Sequence, residues 1–247
     1  MKSYEYYDNI SSEYDEMYED YYWKSHNDMI KNYIERFTKD LCGNSLDIGC
    51  GTGTWSKLLS DMGFKSYGFD PSEKMVKISA DKVKNGIFSR GFIETFSYDI
   101  KFDVITAVGD ILSYCEDYFQ GIYNVFCHLK KNGVFIGTTD SIGRFASDSF
   151  YSERLDITEK LKYNRYIEIG MSEKLSFRSK LFSSEELGYT LKSLFRNVRI
   201  YGIMPFPFEE NKNLYKYSGQ LKEVEKKYGD ESFMNNYAEH LLFVCKK

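Results

Sequence analysis

The chain has 247 residues, of which 42% are hydrophobic and 28% charged, and carries a net charge of −4. These values fit one large globular domain, or a domain with a modest cap, and exclude a global basic field that would recruit nucleic acid or anionic membrane. Five scattered cysteines (Cys42, Cys50, Cys115, Cys127 and Cys245) form no CxxC, and His26, His128 and His240 show no ligand spacing. Reduced thiols and no metal site are therefore expected. No apolar run approaches about 18 residues and no secretory leader pattern is visible, so a cytoplasmic chain without a membrane span is expected.

Residues 1–22 hold seven of the 22 tyrosines and few aliphatics, so this segment is expected to lie over the rest of the molecule. Met29, Ile30, Tyr33, Ile34 and Phe37 recur at a helical period over 26–39. A strand at 45–49 leads through glycines into a helix near 54–61, and Gly63 fits its stop. A second strand at 65–69 runs into Asp70-Pro71-Ser72. Pro71 excludes helix at Asp70, and Ser72 suits the cap of a helix to about Lys84. Ile87-Phe88 reads as a short strand, 102–108 as a strand buried on both faces, 117–130 as a helix and 133–139 as a strand. This alternation with short links predicts a doubly wound parallel α/β sheet. The rhythm breaks over 141–180, which suggests an inserted cap. It resumes with a helix at 184–195, strands near 197–203 and 241–244, and a Lys/Glu-rich helix over 213–228 between them.

The richest stretch is Ser45-Leu46-Asp47-Ile48-Gly49-Cys50-Gly51-Thr52-Gly53-Thr54. Glycines here allow a tight turn and close approach of a ligand to backbone. A dinucleotide fingerprint wants G-x-G-x-x-G, but position 54 is Thr, so the pyrophosphate arrangement is missing. Asp70, nineteen residues after Gly51, stands where a carboxylate takes a ribose diol.

At this point the chain resembles the class I S-adenosylmethionine-dependent methyltransferases. Leu46–Gly53 resembles their first motif, Gly68-Phe69-Asp70 the acidic end of strand 2, and Ala107–Tyr114 the segment after strand 4. Leu129–Val134 resembles the turn before strand 5, and Phe182–Leu187 the helix before strand 6. Tyr6-Tyr7-Asp8 and Tyr14-Asp15 resemble the N-terminal Y-D…Y-D of the small-molecule branch, which includes ubiquinone/menaquinone-type and sugar-amine enzymes.

The resemblance implies a Rossmann-like seven-stranded sheet with the last strand antiparallel. It implies one domain over 1–247, with an N-terminal helical lid (1–40) and a small cap (141–180). It also implies a binding set for S-adenosylmethionine. Gly49, Cys50, Gly51 and Gly53 would form the turn at the methionine portion, with Cys50 itself a small buried filler. Asp47 would order the turn and meet the ammonium, directly or through water. Asp70 would take the ribose, with Pro71 beside it. Ser72 and Met75 would flank the adenine, and Tyr14 would close over the methionine end. Phe92 stands where relatives often carry an acid, so stacking and the Ile93 backbone, with Glu94 next to it, would hold the adenine.

Methyl transfer from a sulfonium needs alignment and a dry site, and a base only if the acceptor starts protonated. Candidates on the acceptor side are Asp110, Tyr114 and His26. Asp110 reads equally as a cap of the next turn, Tyr114 as packing, and His26 as a surface or capping residue. Asp140 faces the same sheet edge and reads also as a loop cap. Phe206 and Phe208 suit either the cap or the core. The expected activity is methyl transfer to a small-molecule acceptor, with a quinone-type ring and an amino sugar both fitting, and S-adenosylhomocysteine as an inhibiting product. Rival readings are an RNA, DNA or protein methyltransferase, opposed by Gly109-Asp110-Ile111-Leu112 in place of an N/D-P-P-Y motif and by the acidic charge. A nicotinamide-dependent oxidoreductase is opposed by Thr54, and a non-catalytic ligand-binding module stays open. Oligomeric state is not legible.

Overall fold

The computed structural model describes residues 1–172, 174–206 and 212–247. In chain order the elements are α1 (Ser3–Ile10), α2 (Tyr21–Thr38), β1 (Asn44–Ile48), α3 (Thr54–Asp61), β2 (Lys65–Asp70), α4 (Glu73–Lys82) and β3 (Ile87–Arg90). Then come β4 (Phe102–Ala107), α5 (Ile111–Tyr114), α6 (Tyr118–His128) and β5 (Leu129–Asp140). The insertion carries α7 (Ile142–Tyr151), α8 (Leu155–Lys160), β6 (Tyr166–Ser172) and β7 (Leu175–Lys180). The chain ends with α9 (Ser184–Lys192), β8 (Asn197–Ile203), α10 (Ser218–Gly229) and β9 (His240–Lys246).

Seven strands form one sheet in the order β3-β2-β1-β4-β5-β9-β8, and β6 and β7 form a separate hairpin. β1 is parallel to β2 and β4, and β4 to β5, whereas β9 runs antiparallel to both β5 and β8. The expected α/β sheet with its reversed last strand is thus present. Alternating side chains feed two cores, as a strand's period of two requires. Leu46, Ile48, Ile105, Phe135 and Phe243 meet α6 and α9 on one face. Val104, Val134, Ile136, Leu242 and Val244 meet α2 and α3 on the other. No helix of the described residues is long and apolar enough to cross a membrane.

Two expectations are corrected. The covering lid is shorter than 1–40. Tyr22, Met29, Ile30, Tyr33 and Ile34 of α2 are buried against the sheet, so α2 belongs to the central layers and only the segment before it lies over the site. The helix expected over 117–130 ends at His128, and β5 begins at Leu129 rather than 133. Within that stretch Asn132 sits at φ +67, a left-handed conformation that asparagine tolerates better than most residues. The 141–180 insertion is built from a helix pair and a hairpin. It leaves and rejoins the sheet at one place, because Phe182 N donates to Asp140 O and Ile142 N to Phe182 O. Phe206 packs edge-on against Tyr228 rather than in the cap, and Pro207 and Phe208 lie outside the described residues.

Candidate active site

The carboxyl edge of the parallel strands, where open α/β sheets hold ligands, opens into two adjoining cavities. The larger, about 640 Å³, runs from Gly49 and Gly51 past Asp70, Pro71 and Met75 to Phe92, Ile93 and Glu94. The smaller, about 350 Å³, is walled by Tyr14, Tyr18, Trp23, His26, Asp110 and His240. They share Tyr7, Tyr14, Gly49, Gly51, Val108, Gly109 and Tyr114 as a common wall.

The larger cavity is built by local sequence. Gly49 has φ +64, and a Cβ there would lie 2.1 Å from Ile111 Cδ1. Gly51 has φ +51, and nothing stands within 4 Å of its would-be Cβ, so its backbone faces open space. Asp70 ties the turn to the end of β2: its Oδ2 accepts from Gly51 N at 2.9 Å and its Oδ1 from Ser72 N at 2.8 Å. Burial pushes the Asp70 carboxyl up to about 6, against the two backbone donors that favour its charge. Glu94 Oε1 accepts from Glu116 N and Asp117 N, which fixes the far rim. Phe92 meets Tyr4 of α1 edge-on at 5.8 Å over the same end.

Four of the expected binding residues stand elsewhere. Asp47 lines neither cavity; its Oδ2 accepts from Ser56 Oγ at 2.6 Å and its Oδ1 from Thr106 Oγ1 at 2.8 Å. It orders the strand-turn-helix from behind, and the direct contact with an ammonium has no geometry to support it. Ser72 lies beneath Asp70, where its Oγ accepts from Met75 N and caps α4. Gly53 lines neither cavity and serves the close packing of the turn on Ser79. Cys50 lines only the smaller cavity, and burial pushes its thiol well up.

The Y-D…Y-D pattern divides its labour. The aspartates latch the N-terminal segment to the scaffold. Asp15 accepts from Thr52 Oγ1 at 2.6 Å and from Lys82 Nζ at 2.8 Å, and Asp8 accepts from Ser72 Oγ. The tyrosines that precede them point to the cavities. Tyr7 packs on Tyr14 at 5.9 Å and on Tyr114 at 6.4 Å, and Tyr14 on Tyr18 at 5.0 Å. Tyr18 packs on Trp23 at 5.1 Å, and Phe177 of the inserted hairpin wedges Tyr7 and Tyr114 from outside. Burial raises the pKa of the Tyr7, Tyr14 and Tyr114 phenols well above the ordinary value, which keeps them neutral and disfavours Tyr114 as a base.

The far wall of the smaller cavity gathers charge. Asp110 follows Gly109 in a left-handed conformation, φ 62 and ψ 34, and makes no side-chain cap to the turn it precedes. Its backbone N–H, with that of Gly109, donates to Thr138 Oγ1. Its Oδ1 is buried with no hydrogen-bond partner among the described residues. His240 Nε2 lies 3.3 Å from Asp110 Oδ2 and 3.7 Å from Asp140 Oδ1. Asp140 is no loop cap; its Oδ2 accepts from Ser179 Oγ at 2.5 Å. His26 is buried rather than superficial, with Nε2 3.0 Å from His240 Nδ1 and Nδ1 3.2 Å from Asn27 Oδ1. Burial, and then His240, lower the His26 pKa to about 3. With both ring nitrogens engaged, His26 positions His240 rather than serving as a free base. His240 itself escaped sequence reading, because the antiparallel register that sets it opposite Asp140 has no local signature.

A glycine turn after β1, a carboxylate closing β2 and a sheet with one reversed strand define the Rossmann-like fold of S-adenosylmethionine-dependent methyltransferases. Residues 46–133 match the family model described as a methyltransferase domain. The chain is 34% identical over 139 residues to a demethylmenaquinone methyltransferase of Lactococcus lactis, covering 52% of this chain and 54% of that one. It spans about half the length of most of the curated relatives it matches. An uncharacterized protein of Methanocaldococcus jannaschii aligns more fully, 26% identical over 253 residues with 98% and 90% of the two chains covered. Among solved structures, the DhpI–SAM–HEP complex superposes with a TM-score of 0.66 at 16% identity, covering 98% of this chain and 95% of that one. An S-adenosylmethionine-dependent methyltransferase from Clostridium acetobutylicum superposes with a TM-score of 0.58 at 17% identity, covering 96% of each chain. At these identities the structural likeness is one of fold.

Proposed function

We propose that the protein transfers a methyl group from S-adenosylmethionine to a small-molecule acceptor seated in the smaller cavity. The observation that carries this reading is the wall shared by the two cavities, Tyr7, Tyr14, Gly49, Gly51, Gly109 and Tyr114. A donor in one cavity and an acceptor in the other would meet there, enclosed by the N-terminal segment. When bound, the donor supplies a methyl group on a positively charged sulfur.

The larger cavity fits this donor. Asp70 would accept from the ribose hydroxyls, Gly51 has open space before it, and Pro71, Met75, Phe92 and Ile93 offer apolar surface to the base. Neutral Tyr7, Tyr14 and Tyr114 would turn electron-rich rings toward the cationic end and exclude water from the path of transfer. The smaller cavity has aromatic walls, Tyr14, Tyr18 and Trp23, that suit a flat, partly apolar acceptor. No Lys or Arg lines it among the described residues, which disfavours a phosphate-rich acceptor such as RNA or DNA. A quinone-type ring and an amino sugar are the acceptors to try first.

Calorimetric titration of the purified protein with S-adenosylmethionine, S-adenosylhomocysteine and NAD tests the donor. Micromolar binding of the two adenosyl ligands without NAD is expected, and binding of NAD alone would remove the proposal. A labelled-methyl screen of quinols and amino sugars tests the acceptor class, and transfer only to nucleic acid or protein would replace it.

A further inference from the structure

We propose that Asp110, Asp140 and His240 bind a divalent metal ion at the inner wall of the smaller cavity. Their donor atoms lie within 4.8 Å of one another, and all three residues are buried. The spacing is wider than a single charge-assisted hydrogen bond draws and leaves room for an ion between the three side chains. A charge-assisted hydrogen bond would draw His240 Nε2 to about 2.8 Å from one carboxylate. Instead it stands 3.3 Å from Asp110 and 3.7 Å from Asp140. Three donors each about 2.1 Å from one ion stand about 3.0–3.5 Å apart.

An independent observation points the same way. Asp110 is 6% exposed, and its Oδ1 lacks a hydrogen-bond partner among the described residues. A buried carboxylate oxygen left without a partner is costly unless a cation takes it. Among the described residues the other nearby cation, Arg144, is engaged by Glu239 at 3.0 Å and Asp148 at 2.5 Å, so the ion competes there with a proton on His240.

The surroundings hold these donors as metal ligands are held. If His26 Nδ1–H donates to Asn27, its Nε2 accepts from His240 Nδ1–H at 3.0 Å and leaves His240 Nε2 bare for the ion. Ser179 donates to Asp140 Oδ2, which leaves Oδ1 free to face His240. One imidazole with two carboxylates suits a borderline ion such as Zn²⁺, Co²⁺ or Mn²⁺. Three protein ligands leave coordination open, and Asp110 and His240 both line the cavity. The open position would therefore face the acceptor and hold one of its oxygen or nitrogen atoms. This goes beyond the methyl-transfer reading, and its test does not depend on it.

The test is a titration of chelator-stripped protein with Co²⁺, followed by visible absorption and calorimetry. One Co²⁺ per chain is expected, displaced by Zn²⁺. His240→Ala and Asp110→Asn should each weaken binding at least about 10-fold, while Asp70→Ala, in the other cavity, should leave it unchanged. Circular dichroism checks that the variants fold. His26→Ala, which removes the acceptor for His240 Nδ1–H and keeps all three ligands, should weaken binding about 10-fold. Lack of saturable Co²⁺ binding by the folded wild-type chain overturns the proposal. So does binding unchanged in His240→Ala and Asp110→Asn, which would put the ion elsewhere.

Discussion

The two cavities share a wall but are assembled by different means. The floor of the larger one comes from a single β-α-β stretch, from Ile48 through Asp70 to Met75, and its geometry follows from local rules. Glycines permit the turn, proline stops a helix at Asp70, and Ser72 starts the next one. The smaller one draws on α2, the end of β4 and the reversed strand β9, and its charged cluster joins residues more than a hundred positions apart. A site made by a local turn can keep its ligand while its neighbours change. A site made by long-range register can be re-equipped by one substitution on any contributing strand.

Separating the two cavities by mutation is the sharpest way to break this comparison. Asp70→Ala should lower S-adenosylhomocysteine affinity by about 10- to 150-fold, the loss of a charge-assisted hydrogen bond worth about 1.5–3 kcal/mol. Equal affinity in calorimetry would take Asp70 out of the site. Phe177→Ala should cost about 3 kcal/mol in the covering layer, since Phe177 is 2% exposed and wedges Tyr6, Tyr7 and Tyr114. Hydrogen exchange should then speed up in α1 while β4 and β5 stay protected. Equal acceleration in both would mean that the cover and the sheet unfold as one unit.

Glu225 offers a smaller, pH-dependent effect away from both cavities. It is 2% exposed, and burial raises its carboxyl to about 8. Between about pH 4.5 and 8 the unfolded chain therefore sheds this proton while the folded chain keeps it, so stability falls as pH rises. Glu225→Gln should leave the melting temperature unchanged near pH 4 and raise stability by about 1–3 kcal/mol at pH 8, with a flat difference refuting the account. The smallest effect concerns donor binding. The ionised Asp70 accepts from ribose hydroxyls more strongly than its protonated form, and burial pushes its carboxyl up to about 6. S-adenosylhomocysteine affinity should hold above that pH and fall at most 10-fold per unit below it, and a pH-independent affinity would remove the carboxylate's role.

The glycine turn and the acidic end of β2 were legible in the sequence, because the positive φ of Gly49 and Gly51 and the place of Asp70 follow from backbone conformation and strand order that local sequence dictates. The errors there were of direction rather than place. Asp47 and Ser72 sit where expected along the chain, but their side chains turn to Ser56, Thr106 and Met75 instead of the cavity. Orientation about one residue depends on packing from elements that arrive later in the chain. The same limit explains α2, whose helical period was visible but whose partner face was not.

Sequence alone therefore determined the alternating α/β order, the glycine turn with its acidic partner, and the tyrosines and aspartates that cover the site. Each is encoded within a few residues, where turn sterics, capping and hydrophobic period act. Only the tertiary structure decided that His26, Asp110, Asp140 and His240 form one cluster. That cluster depends on β9 running antiparallel to β5 with His240 opposite Asp140, a register set by the burial of Leu242 and Val244 on one face of the sheet and Leu241 and Phe243 on the other.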